Sequence, residues 1–321
     1  MAERAHAPEA LEAAPSPPSL GPTPRPNRCV LCGGAGEEVV WREAGYDGRR
    51  CACGVVFVDP MPADGAIDFT RDLHDGPFYA MPARDRLAWF GAQRGARGRL
   101  LEVGCGEGWF LEAARDRGFT VEGLEPDPAR ARRVRERLGV PVTCGFIESA
   151  SLPEGAYDVV YHTDLISHFP DPVGALRAMA RLLRPGGVLF FEAGLHTGFS
   201  PRWYRAVGSM GYPMHLWFYD EGAFDRLMAA AGLRVEARRT FSLGPYVLGS
   251  RVVRGVAKAA RLGLRAVERA MGERPRWAPD DERINGLRER ATHFMRYDLA
   301  ARAPAWGPKT LWVIASPDAA P

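Results

Sequence analysis

Three closely spaced glycines and a downstream carboxylate are the residues of this 321-residue chain whose spacing most directly suggests chemistry. Gly104, Gly106 and Gly108 follow the apolar run 99–103. Because glycine has no side chain, a ligand can approach the backbone closely at the point where a helix is expected to begin. Glu125 ends the next apolar run, 17 residues beyond Gly108, where nucleotide-binding α/β folds place the carboxylate that binds a ribose. The pattern predicts a bound nucleoside. Taken alone, the glycines leave an ordinary tight strand-to-helix turn as the alternative.

Four of the six cysteines have the spacing of metal ligands: Cys29, Cys32, Cys51 and Cys53. They form a C-x-x-C pair and a C-x-C pair separated by eighteen residues. Four thiolates can close a tetrahedral structural zinc site, and a module of about thirty residues has too little core to fold without one. Since the second pair is shorter than the usual C-x-x-C, four reduced thiols in a ribbon that has lost its metal are the alternative. Cys105 and Cys144 are interpreted as buried packing residues.

The elements that must position these residues are read from the apolar pattern. Seven runs predict strands, at 99–104, 120–125, 140–145, 157–163, 188–193, 233–241 and 309–317. Helical patterns lie between them, at 109–118, 128–139, 173–187 and 220–232. Such alternation builds a parallel sheet with helices on both faces. We therefore expect an α/β, doubly wound, mostly parallel seven-stranded Rossmann-like sheet, with an N-terminal zinc-ribbon-like module and a helical insertion, 243–307, before the last strand.

Composition divides the remainder of the chain. Residues 1–28 hold seven prolines and almost no large apolar side chain, so we expect a disordered tail. A ribbon-like module, 29–58, and a helical segment, 59–98, then precede the main domain, 99–321. The net charge of +3 is too small to indicate a nucleic-acid partner. No apolar run is long enough for a transmembrane segment or a signal peptide, so a cytoplasmic protein with reduced thiols is expected.

The family resemblance depends on several motifs together. Trp109 occupies the position where a dinucleotide fingerprint requires a third glycine, and no Walker lysine follows. Over roughly 99–317 the chain instead resembles the class I S-adenosylmethionine-dependent methyltransferases. The shared motifs are E-V-G-C-G-E-G at 102–108, Y-D-V-V at 157–160, H-F-P-D-P at 168–172 and L-L-R-P-G-G at 182–187. The N-terminal cysteine module similarly resembles the zinc-binding segment of bacterial small-molecule methyltransferases, including sugar C-methyltransferases.

This resemblance implies a set of cofactor-binding residues. Gly104, Gly106 and Gly108 would border the methionine part of S-adenosylmethionine, with Glu102 just behind them. Glu125 would accept hydrogen bonds from both ribose hydroxyls. The remaining expected contacts are Phe146 and Ile147 beside adenine, and Thr163 and Asp164 at the methionine end.

Histidine is the commonest side chain for removing a proton from an acceptor near neutral pH, and three histidines follow strands at the expected substrate edge. The candidates for a catalytic or substrate-contact role are His215, His168 and His196, each with a structural role as the alternative. His168 matches the family's E-H-x-x-D-P, with Ser167 in place of the glutamate. Five aromatic residues could line an acceptor pocket or pack in the core: Tyr79, Trp203, Tyr204, Trp217 and Tyr219.

The basic helical pattern from Arg251 to Met271 has six basic residues and one acidic residue. It is interpreted as a solvated helix packed on the core, with an active-site lid and an anionic membrane contact as alternatives. For the whole chain, the sequence predicts methyl transfer to an oxygen or carbon of a small-molecule acceptor, a specialised metabolite or a saccharide. An RNA methyltransferase and a non-catalytic scaffold are the alternative hypotheses.

Overall fold

The computed structural model describes residues 16–68, 80–95, 97–196, 210–273, 279, 281–299 and 308–318, which form two β-sheets and flanking helices. The larger sheet has seven strands: β4 (Gly98–Val103), β5 (Phe119–Glu125), β6 (Val142–Cys144), β7 (Tyr157–Thr163), β8 (Leu183–Leu195), β10 (Leu233–Ser242) and β11 (Lys309–Pro317). Their order across the sheet is β10-β11-β8-β7-β4-β5-β6. β4 to β8 are parallel to one another, whereas β11 is antiparallel to both β8 and β10. The predicted fold class is confirmed.

Helices cover both faces of this sheet, as the alternating sequence pattern predicts. They are α1 (Ala80–Arg94), α2 (Trp109–Arg115), α3 (Pro128–Leu138), α4 (Pro172–Leu182) and α5 (Glu221–Ala230). Three of them begin with an aspartate whose side chain accepts a backbone N–H in the first turn, which satisfies a donor that the helix itself leaves free: Asp127, Asp171 and Asp220.

The helix predicted over 173–187 ends earlier than expected. α4 stops at Leu182, and the chain turns extended at Leu183 to begin β8. Pro185 lies two residues further on, where a helix would require an N–H that proline lacks. Leu183 also pairs with Tyr157 of β7, so the register with the neighbouring strand fixes this boundary.

The smaller sheet joins the cysteine module to the main domain. It has the order β1-β2-β3-β9, with β1 (Glu38–Glu43), β2 (Tyr46–Arg50), β3 (Val56–Asp59) and β9 (Trp217–Phe218). β9 comes from the segment that follows β8, more than 150 residues after β3 along the chain. Phe57 of β3 and Trp217 of β9 are paired residues and are both fully or almost fully buried, so the module and the main domain share one core.

The insertion before the last strand is helical, as predicted. α6 (Gly244–Met271) and α7 (Asp281–His293) are followed by one turn of π-helix, Phe294–Leu299. Within the described part of the chain, no helix combines the length and the hydropathy needed to cross a membrane.

The segment 16–28 differs from the disordered tail that composition suggests; residues 1–15 lie outside the described residues. The Leu20 side chain is buried, and Asp64 accepts the backbone N–H groups of Leu20 and Gly21 at 2.6 and 3.1 Å. Asn27 donates its side-chain amide to the Val58 carbonyl. The proline-rich segment is ordered because residues 58–64 supply partners for its polar groups. Composition alone does not show such tertiary contacts.

Candidate functional site

A cavity of about 300 Å³ opens at the carboxyl edge of the seven-stranded sheet, between β4 and β7. The connections from these two adjacent strands leave in opposite directions, since β4 continues toward β5 and β7 toward β8. Open α/β sheets bind ligands at such a switch point. Nine of the predicted site residues lie on the cavity wall: Glu102, Gly104, Gly106, Glu125, Phe146, Ile147, Thr163, Asp164 and His168.

The glycine turn after β4 forms the floor of this cavity. Gly106 has φ +53°, a left-handed conformation that favours glycine. Among the described residues, no atom lies within 4 Å of the position that a Cβ on Gly106 would occupy. A Cβ on Gly104 would lie 2.9 Å from Cδ1 of Leu165. Gly108 caps the N-terminus of α2 instead and is not among the described residues that line the cavity.

Glu125 is a buried carboxylate at the end of β5, and it ties the glycine turn to the next strand. Its Oε2 accepts the Gly106 N–H at 2.8 Å, and its Oε1 accepts from the Asp127 N–H and the Arg130 guanidinium, both at 3.1 Å. Burial raises the pKa of Glu125 to about 7. A carboxylate oxygen has two lone pairs, so Oε2 retains capacity for a hydroxyl donor from a ligand.

Glu102 lies deeper, at the end of β4, and only 6% of it is exposed. Burial raises the pKa of this carboxyl well above its ordinary range. Among the described residues, its Oε2 has no hydrogen-bond partner. A buried polar atom without a partner on the wall of a cavity indicates that the partner is a ligand or an ordered water.

A second group of charged residues, which sequence reasoning missed, lies next to the cavity and reaches it through Arg86. Glu192, on β8 and fully buried, accepts from Arg86 of α1 at 2.9 Å and from Arg296 of the π-helix at 2.8 Å. Tyr297 and Trp312 also donate to this carboxylate. Burial alone would raise the pKa of Glu192, but the two guanidinium groups hold it below its ordinary value.

Arg86 connects this charged group to the cavity, which it lines. The signal for it in the sequence is a charged residue on the buried face of a helix, since α1 also buries Ala83, Leu87 and Phe90. Asp164 lies nearby, 3.6 Å from Arg296, in a left-handed conformation with φ +53°. Partial burial, and then the Glu192 carboxylate, raise the pKa of Asp164 to about 6.

His168 is the only one of the three candidate histidines among the described residues that line the cavity. Its Nδ1 lies 3.0 Å from the Met214 carbonyl oxygen. Because a carbonyl only accepts, Nδ1 of the neutral ring bears the hydrogen and Nε2 bears the lone pair. His215 lies behind His168, with ring centroids 4.4 Å apart, and its Nδ1 is 3.0 Å from the Ser167 hydroxyl.

The other predicted acceptor-side residues have core positions or lie outside the described residues. Burial lowers the pKa of His196 to about 4, and its ring packs edge-on against Phe218. Trp217 and Tyr219 are both at least 98% buried and belong to the hydrophobic core. Three aromatic residues are outside the described residues: Tyr79, Trp203 and Tyr204.

The segment that supplies Met214 and His215 is held by the cysteine module. Val58 of β3 donates its N–H to the Leu216 carbonyl at 3.0 Å, and Glu43 of β1 accepts the Met210 N–H at 2.6 Å. On its other side, the Leu216 N–H donates to the Ser167 carbonyl at 2.7 Å. The segment 210–219 is therefore clamped between the smaller sheet and the loop that contains His168.

The four cysteines of the module converge. Their sulfur atoms all lie within 4.8 Å of one another, with Cys29 and Cys53 3.3 Å apart and Cys32 and Cys51 3.2 Å apart. The C-x-C pair thus places both of its sulfurs in the cluster despite its short spacing. A Cβ on Gly34 would lie 2.9 Å from Sγ of Cys51, so the turn after Cys32 can approach the cluster only as glycine. The donor set and its compactness fit a tetrahedral zinc ion.

Comparison with known proteins agrees with this geometry. Residues 74–238, more than half of the chain, match the family described as a methyltransferase domain. A ubiquinone biosynthesis O-methyltransferase of Pseudomonas paraeruginosa is 37% identical over 114 residues, which are 33% of this chain and 49% of that protein. One from Coxiella burnetii is 30% identical over 130 residues, or 39% of this chain and 55% of that protein. The chain spans about half the length of these curated relatives.

A solved structure shows the same fold. The Galdieria sulphuraria protein assigned as a sarcosine dimethylglycine methyltransferase aligns with a TM-score of 0.51 and 17% identity, covering 79% of this chain and 95% of that one. Because the family match covers more than half of the chain, the chain belongs to the methyltransferase domain family, and it has the fold of the class I S-adenosylmethionine-dependent methyltransferases.

Proposed function

We propose that this enzyme methylates a hydroxyl oxygen of a small-molecule acceptor that binds beside His168. The observation that supports this most directly is the bond between His168 Nδ1 and the Met214 carbonyl, which leaves the lone pair on Nε2 of a histidine that lines the cavity. The curated relatives are O-methyltransferases, which favours oxygen over the carbon acceptor that the sequence also allows.

The residues that would hold S-adenosylmethionine follow from charge and hydrogen bonding. Glu125 would accept from the ribose hydroxyls, and Phe146 and Ile147 would flank the adenine. Glu102, whose Oε2 has no partner within the described chain, would receive the amino group of the methionine end. Arg86 would face the carboxylate of that end, because it lines the cavity with a buried guanidinium.

The cofactor supplies a methyl group on a positively charged sulfur, which needs no further activation by the protein. The protein's task is then to align the acceptor oxygen and to remove its proton. Nε2 of His168 would take that proton. His215 does not line the cavity, so we assign it a positioning role: its contact with the His168 ring and its bond to Ser167 hold that ring in place.

The test is to screen phenolic and sugar hydroxyl acceptors with labelled methyl donor, and then to compare the wild type with His168→Gln. We expect turnover to fall by roughly a hundredfold, since general bases contribute about 10²- to 10⁴-fold. The cofactor dissociation constant, measured by calorimetry, should stay within about threefold. His196→Gln is the matched control, because that ring packs away from the cavity. Full turnover in His168→Gln with a hydroxyl acceptor would refute the assignment.

The four cysteines are included in the proposal as a structural zinc site. Their compact sulfur cluster, shared between two turns of the module, supports this assignment. Metal analysis should find one zinc per chain in the wild type and a loss of it in Cys29→Ser. Cys144→Ser is the control, since Cys144 lies at the end of β6, outside the cluster. A wild-type protein purified without zinc, and unchanged in stability by added zinc, would overturn the assignment.

A further inference from the structure

The long insertion helix α6 leaves part of its apolar surface exposed. Six small or apolar residues recur at helical spacing along one exposed stripe: Val252, Val256, Ala259, Gly263, Ala266 and Ala270. Val252 and Val256 are 66% and 64% exposed, and Leu262, beside the stripe, is 54% exposed. The opposite side of the helix packs inward, where Ala257 is buried and Arg261 donates to Asn285 of α7.

Positive charge is concentrated on the same helix. α6 has six basic residues and one acidic residue, a net charge of +5, whereas the whole chain has a net charge of +3. The rest of the protein is therefore slightly acidic. Lys258, Arg265 and Arg269 are exposed, and their positions along the helix place them on one side of the apolar stripe, next to Leu262. The exposed surface of α6 thus has a basic strip beside an apolar one.

This combination matches one kind of partner. Apolar side chains next to lysine and arginine on one helix surface fit the boundary between the anionic headgroups and the acyl chains of a lipid bilayer. A single-stranded nucleic acid would instead be met by basic residues with exposed aromatic rings for base stacking. The stripe on α6 consists of valine, alanine and glycine. A second copy of this chain would bring the same positive charge to the contact, which opposes self-association through this surface.

We infer that α6 docks the enzyme on an anionic lipid surface. The inference does not depend on the proposed acceptor, because it uses only exposed residues of the insertion. The same insertion lies next to the cavity, since Arg296 of the π-helix bonds Glu192 and lies 3.6 Å from Asp164, which lines the cavity.

The experiment is sedimentation of the full chain with vesicles made of equal parts phosphatidylglycerol and phosphatidylcholine, against vesicles of phosphatidylcholine alone. We expect binding to the anionic vesicles, weakened by salt. Val252→Asp with Val256→Asp should reduce this binding by at least about tenfold, and so should Lys258→Glu with Arg265→Glu. The matched control is Arg117→Glu with Arg132→Glu, which changes the net charge equally at exposed positions outside the insertion and should retain binding.

Three results of the sedimentation experiment would overturn the inference. These outcomes are no binding to either vesicle, equal binding to both vesicles, and loss of binding in the control to the same extent as in the α6 variants. A dimer that Val252→Asp with Val256→Asp dissociates, without vesicle binding, would assign the stripe to a second copy. RNA binding without vesicle binding would assign the basic strip to a nucleic acid. Unchanged cofactor affinity in all variants shows that they are folded, so failure here is distinguishable from failure of the proposed function.

Discussion

The two halves of the proposed catalytic cavity are built in different ways. The cofactor half comes from one short stretch, in which β4, the glycine turn and β5 bring Glu102, Gly106 and Glu125 together within 24 residues. The acceptor half is assembled from the loop after β7 and the segment 210–219, with the cysteine module behind it. The first half is local and depends on backbone shape. The second depends on long-range contacts, so changes far from the cavity should affect it.

The largest expected effect is on the cofactor half. Gly106→Val should weaken S-adenosylmethionine binding by at least about a hundredfold, because the side chain would enter open cavity space and φ +53° disfavours valine. Calorimetry measures the dissociation constant. Gly155→Val is the control, since Gly155 has φ +64° with equally open surroundings but is not a cavity residue. It should lose stability and keep the affinity; equal affinity in Gly106→Val would remove the turn from the site.

A change in the module should separate the two halves. Cys29→Ser should reduce turnover roughly tenfold or more while the cofactor dissociation constant changes by less than about threefold. The physical reason is that β1 and β3 hold the segment 210–219, which in turn holds His168. Turnover and cofactor binding are measured on the same preparation. If turnover and cofactor affinity fall by the same factor, the module stabilises the whole fold and has no specific effect on the acceptor half.

The cofactor half should respond to pH through Glu125. Its carboxyl has a pKa of about 7 in the free protein, and ribose hydroxyls donate to the charged form, so protonation competes with binding. Affinity should therefore rise with pH, by roughly tenfold between about pH 6 and pH 8. Titration calorimetry at several pH values measures this. Glu125→Gln should bind weakly with a flat profile, and a flat profile in the wild type would contradict the role of Glu125.

The smallest expected effect is on the charged group around Glu192, next to the cavity. Arg296→Met removes one of the two cations that neutralise the buried Glu192, and it should lower the free energy of unfolding by about 1 kcal/mol, since Arg296 is partly exposed and Arg86 remains. Denaturant unfolding measures the change. Arg181→Met, which removes a surface ion pair with Glu154, should cost less than about 0.5 kcal/mol. Equal values for the two variants would show that the insertion is not anchored through Glu192.

The cofactor half could be predicted from the sequence because its geometry is local. Gly104, Gly106 and Glu125 are set by a strand, a turn and the next strand, and each of these has a period or a spacing that the sequence shows directly. The charged group around Glu192 could not, because Arg86, Glu192 and Arg296 are separated by about a hundred residues each and meet only through packing. The sequence left three candidate histidines, whereas the structure places His168 on the cavity wall and His215 behind it.

The sequence by itself determined the alternation of strands and helices, the glycine turn with its strand-end carboxylate, and the convergence of four cysteines. These follow from hydrophobic periodicity and short-range spacing, which act within a few tens of residues. Only the tertiary structure decided that β9 completes the sheet of the cysteine module, that residues 16–28 are ordered, and that the insertion supplies Arg296 to Glu192. These features depend on which distant surfaces satisfy each other's polar groups and bury each other's apolar area. The spacing of residues along the sequence does not show which of these surfaces pack together.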